Sequence, residues 1–149
     1  MKVRAASFTA VVSLCAAVAG CGGGSGAPGA AETATVKQTV RTALADLARA
    51  DGPAFCALTT PAGRAKLARA LPGYSCTRLI AYVGGHLSAA AQDGLLHAQV
   101  RRVTISGATA RVLATDITAA NGSLKGLLDD DGKPTTLVRQ PDGRWKINS

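Results

Sequence analysis

The chain has 149 residues and a formal charge of +8, enough for one small domain with processing segments around it. The excess charge comes from 17 Lys and Arg against nine Asp and Glu, and only Arg101 and Arg102 are adjacent. With aromatics at 3% and none stacked between basic runs, nucleic acid is excluded as a partner. A positive surface favours anionic lipid heads or cell-wall polymers, but the spread of Arg along the chain, with no block of like charges, fits an ordinary solvated surface better.

The first twenty residues read as an export signal. Met1-Lys2-Val3-Arg4 supplies positive charge, and Ala5 to Ala19 is uncharged and mostly apolar. That stretch is shorter than the about 20 residues a permanent membrane helix needs, and it fits the apolar region of a secretory leader. Val18-Ala19-Gly20-Cys21 then resembles the bacterial lipobox: an aliphatic residue, two small ones and Cys. The resemblance implies cleavage before Cys21, a diacylglyceryl group on its thiol, and acylation (palmitate) of the new N-terminus. Two or three chains anchor stably where one is marginal. The alternative is ordinary secretory cleavage with Cys21 left free. Residues 1–20 are thus expected as a lipoprotein signal peptide and residues 21–32 as the lipidated Cys with a flexible Gly-rich tether. Residues 33–149 would form the folded domain, on the extracytoplasmic face of the cell membrane.

Helical patterns come first. Val36, Val40, Leu44 and Leu47 recur on one face, predicting a helix from Thr35 to Ala50 with Thr35-x-x-Gln38 as capping box and Asp51-Gly52-Pro53 as stop. Arg41, Asp46 and Arg49 fall off that face. A turn is expected around Phe55, Cys56 and Leu58. A second helix should start at Thr60-Pro61, carry Leu67 and Leu71, and end at Leu71-Pro72-Gly73. A third is predicted from Ser75 through Ala91, burying Leu79, Ile80, Val83, Leu87 and Ala90. Gly84-Gly85 would bend it or admit a close neighbour, and Asp93-Gly94 would close it.

Strand patterns follow. Residues 98–106 and 108–119 alternate around a turn at Ser106-Gly107, with Val103 and Ile105 in phase and Ala110, Val112 and Ala114 in phase. Asn121-Gly122 is a hairpin signal, and Asp130-Asp131-Gly132 a turn. Residues 135–140 are strand-like, and Pro141-Asp142-Gly143 leads into a last strand with Trp145 and Ile147 on one face. Helices first and strands after predict an α+β fold: N-terminal helices packed on a curved antiparallel sheet of about four strands.

The strand Ala108 to Val112, the Asn121-Gly122 turn and the close Leu137 to Ile147, with Asp142-Gly143-Arg144-Trp145-Lys146-Ile147 its most specific part, resemble the nuclear transport factor 2-like superfamily. More narrowly they resemble small exported actinobacterial proteins of that group, in keeping with the Ala and Arg bias. The likeness covers residues 33–149. It implies a cone of helices against a curved sheet, often with an interior pocket. Some relatives are isomerases or polyketide cyclases and many have no known activity, so fold alone assigns no chemistry.

Four cysteines divide simply. Cys15 leaves with the signal and Cys21 takes lipid, so Cys56 and Cys76 remain as a pair expected to form a disulfide. No His stands at ligand spacing for a metal, and no Cys-x-x-Cys motif occurs. Asp129-Asp130-Asp131-Gly132 lacks the spacing of a calcium loop. Tyr82, His86, Asp116 and Trp145 are the candidate pocket residues. Asp116 as base and Tyr82 as oxyanion donor would serve an isomerase or cyclase. The plainer account leaves Tyr82 and His86 wet at a helix boundary, Asp116 and His97 facing solvent, and Trp145 filling the sheet mouth. The expected function is a non-catalytic lipoprotein domain with no cofactor. Its expected partners are the membrane through the lipid, an unidentified protein or small apolar ligand, and a second copy of the chain. An isomerase-like or cyclase-like enzyme and a structural envelope protein are the alternatives.

Overall fold

The computed structural model describes residues 29–119 and 132–148. The leader, Cys21, tether residues 22–28, the Asn121-Gly122 turn and Asp129 to Asp131 lie outside the described residues.

Among the described residues, five helices precede the strands. Helix α1 runs Ala30–Ala48, five residues ahead of the expected start. Gly29 is its extended N-cap, and Thr35 is interior, its Oγ1 donating to the Ala31 carbonyl at 2.9 Å rather than capping. Ala30 and Ala31, expected in the tether, are helical because Ala has the strongest intrinsic helix preference and Glu32 complements the first-turn dipole. Glu32 also pairs with Arg139 at 2.9 Å, a charge contact rather than a well-aligned hydrogen bond. Arg139 in turn sits 5.7 Å over the Trp145 ring, so the start of α1 is tied to the sheet. At the other end, Asp51 N–H donates to the Asp46 carbonyl and Ala50 N–H to that of Leu47. This is a Schellman closure, with Ala50 at φ 55° in the place glycine usually takes.

The turn expected around Phe55, Cys56 and Leu58 is a short helix, α2 (Gly52–Ala57), capped by Asp51, whose side chain accepts from Ala54 N–H at 3.0 Å. Asp51 therefore starts a helix as well as following one. Helix α3 (Pro61–Ala70) begins as expected, with Thr60 Oγ1 accepting from Gly63 N–H. The single third helix splits in two. Helix α4 (Cys76–Gly85) buries Cys76, Leu79, Ile80 and Gly84 along one stripe. Helix α5 (Ala89–Leu96) restarts at a Ser88 cap and runs past Asp93-Gly94, leaving Ala90 exposed instead of buried. Gly84 admits a close neighbour: a Cβ there would lie 2.3 Å from the Leu47 carbonyl oxygen, so α4 meets the end of α1 backbone to backbone.

The strands are shorter than expected. β2 (Thr104–Ser106) and β3 (Thr109–Val112) form the hairpin across Gly107, and β1 (Gln99–Val100) pairs with β4 (Ile117–Thr118) further along the same two arms. Between those pairings one arm carries residues 101–103 and the other 112–116. The longer arm absorbs its two extra residues in a 3-10 turn at Ala114–Asp116, so Asp116 is not on a strand. Asp116 instead accepts from Arg101 N–H through its carbonyl at 2.7 Å. β5 (Thr135–Arg139) and β6 (Trp145–Ile147) complete a four-stranded antiparallel sheet in the order β2-β3-β5-β6. The small β1–β4 pair is a second sheet.

One row across the large sheet explains the core. Ala110, Leu137 and Ile147 are register partners, all buried, and they face Val36, Val40, Ala43 and Leu44 of α1. Val112, Trp145, Leu95 and Val100 extend this cluster. The β6 edge is covered: Ile147 N–H donates to the Leu58 carbonyl, and Ile147 carbonyl accepts from Thr60 N–H, both at 2.8 Å. That contact fixes the start of α3 against the sheet and covers the β6 edge at Ile147.

Candidate ligand cavity

Where α1 crosses the sheet, packing stops short of filling the space. Alternate turns of α1 present Val40, Ala43, Leu44 and Leu47, and Ala43 is too short to reach far across. Phe55 of α2 and Leu67 of α3 form one wall, while Ile117, Thr135 and Ile147 contribute from three strands. Together they line a partly open apolar cavity of about 180 Å³. Among the described residues of the lining, Thr135 is the one polar side chain and none is titratable. Such a surface excludes ordered water, which needs two to four polar partners, and favours apolar guests.

Beside the cavity lies a second cluster. Cys56 and Cys76 are disulfide-bonded, as expected, with Cα atoms 6.2 Å apart. They pack with Ile80 against Leu47, Phe55 and Leu67. The bond ties α2 to the start of α4. The same two helices touch at Gly52, where a Cβ would meet the Thr77 carbonyl oxygen.

The four candidate pocket residues are dispersed, and none lines this cavity. Tyr82 and His86 do come together, with ring centres 4.2 Å apart, and Tyr74 joins them edge-on at 5.5 Å. Their stack is on the outside of α4, with Tyr82 46% exposed. His86 Nδ1 faces the Tyr82 carbonyl at 2.7 Å and must donate to it, which leaves Nε2 as the acceptor in the neutral ring. Asp116 is half-buried in its 3-10 turn, and Trp145 is buried in the main core beneath Arg139. His97 is exposed and pairs with Asp93 at 3.1 Å.

Asp46 was not legible as a buried residue. Its helical position falls off the apolar stripe, yet it is only 8% exposed. Desolvation pushes its carboxyl pKa up; repulsion from Asp51 adds to this and Arg49 opposes it. Among the described residues no three metal-ligating side chains gather, and no helix is long and apolar enough to cross a membrane. The chain matches no protein-family model, no curated protein and no solved structure.

Proposed function

We propose that this chain is an exported lipoprotein, anchored through Cys21, whose cone-like nuclear transport factor 2-like domain holds a small apolar molecule without transforming it. The cavity under α1 carries the ligand part of the proposal: its lining is apolar apart from Thr135. A cavity of about 150 Å³ lined by aliphatic and aromatic residues is enough to take up benzene. At about 180 Å³ this one has room for a compact hydrocarbon or the end of an acyl chain, below the size of a drug-like ligand. The lipobox-like Val18 to Cys21 supports the anchor, and a disulfide in so small a domain suits an oxidising compartment. An isomerase or cyclase would need a carboxylate or imidazole at the cavity wall, and the described residues of the lining include none.

The test is a benzene titration followed by methyl chemical shifts. Saturable shifts are expected at Leu44, Leu47, Leu67, Ile117 and Ile147. Leu67→Phe, which grows into the cavity, should weaken binding at least about tenfold by removing the space the guest needs. Ala43→Leu fills from the opposite wall and guards against a folding defect in the first variant. Absence of saturable shifts at these methyls would sink the ligand proposal.

A further inference from the structure

The disulfide and the cavity share a wall. Leu47, Phe55 and Leu67 pack on the Cys56–Cys76 cluster with one side and line the cavity with the other. Phe55 immediately precedes Cys56 in the chain. Helix α2 has six residues, too few to hold its shape alone. It is fastened to α4 at two places: Gly52 against Thr77 at its start, and the disulfide near its end. Reduction removes the second fastening. The two thiol sulfurs must then move apart to van der Waals contact, beside Phe55 and the link to α3.

We infer that the redox state of the Cys56–Cys76 bond governs the cavity's hold on its ligand, the oxidised protein being the binding form. This rests on the cavity being a ligand site. The chemistry requires a dithiol reductant. One of its thiolates attacks a cysteine sulfur, the S–S bond breaks, and a mixed disulfide forms. Its second thiol then displaces the remaining cysteine. Two electrons and two protons pass to the chain, leaving two thiols, and the reductant becomes a cyclic disulfide. Both cysteines are buried, so the reductant reaches them only when the cluster opens locally. A filled cavity opposes that opening. Linkage requires the effect to be mutual: a ligand that prefers the oxidised form protects the bond by the same factor.

The experiment compares benzene affinity of oxidised protein, dithiothreitol-reduced protein and the Cys56→Ser/Cys76→Ser variant. Affinity about tenfold weaker in both reduced forms is expected, within the range typical of coupled sites. Dithiothreitol should leave the double variant's affinity unchanged. Val103→Ala, which loosens the core away from this wall, should retain the oxidised affinity. The rate of reduction by dithiothreitol should fall when benzene saturates the protein. This second measurement decides alone if the double variant does not fold. Equal affinities within twofold, with no protection by benzene, overturn the inference and leave the cavity proposal standing. If oxidised protein does not bind benzene, both fall.

Discussion

Two adjacent glycines in α4 should respond to alanine with opposite signs. On intrinsic preference alone each Gly→Ala change in a helix stabilises by about 0.5–1 kcal/mol, because glycine loses more backbone freedom on folding. At Gly85 a Cβ meets nothing within 4 Å, so Gly85→Ala should raise stability, by up to that amount. At Gly84 the added atom would stand 2.3 Å from the Leu47 carbonyl oxygen and 2.8 Å from the Ala50 Cα. Both are backbone atoms at the Schellman closure of α1, so no side chain can swing aside. Helix α4 would have to retreat by about 1 Å from α1, an overpacking displacement that costs on the order of 1–3 kcal/mol. Setting the propensity gain against it leaves Gly84→Ala less stable by roughly 0–2.5 kcal/mol. Urea unfolding of oxidised protein, read by the buried Trp145, gives both values from one preparation. Stabilisation by Gly84→Ala as large as by Gly85→Ala would refute the close contact between α1 and α4.

Cys56→Ser/Cys76→Ser should cost about 3 kcal/mol, the loop-closure entropy of a bridge across 20 residues, measured by the same urea titration. Thiol counting on the denatured, unreduced protein should find neither cysteine reactive. Asp46→Asn tests the buried carboxyl. Its folded pKa is raised above the unfolded 3.8, so between those values the folded state holds the extra proton and stability falls as pH rises. The Asn variant should therefore be more stable than the parent at pH 7, with the advantage fading as pH drops through that window. An advantage that grows on acidification would contradict the burial of Asp46. For the anchor, mass spectrometry of protein from its native membrane should show an acylated N-terminal Cys21, and Cys21→Ala should release it. An unmodified N-terminus elsewhere would remove the lipoprotein proposal.

Some local chemistry is legible in the sequence, though the Asp51 and Ser88 caps are not foreseen there. Thr60-Pro61 capped a helix as read, Gly107 turned a hairpin at φ 58°, and Gly143 turned another at φ 80°. The helix over 30–48 was placed five residues short because Thr35 looked like a cap, while the helical preference of Ala30 and Ala31 spoke against the tether. The hairpin over 98–119 was read as continuous because side-chain alternation does not reveal that one arm is two residues longer than the other. The plainer account of Tyr82 and His86, wet at a helix boundary, matches their exposed stack on α4.

By itself the sequence determined the α+β order of elements, the Cys56 and Cys76 pair, and the apolar stripes of α1 and α4, because caps, turns, parity and periodicity are short-range properties. Tertiary structure alone decided the cavity and its wall. Val40, Phe55, Leu67, Ile117 and Thr135 are scattered over nearly a hundred residues, and each would serve equally in a filled core. Whether space remains between them depends on how closely α1, α2 and α3 approach the sheet. That approach is set by contacts distant in the chain, such as Gly84 on Leu47 and Ile147 on Leu58, which no local pattern encodes.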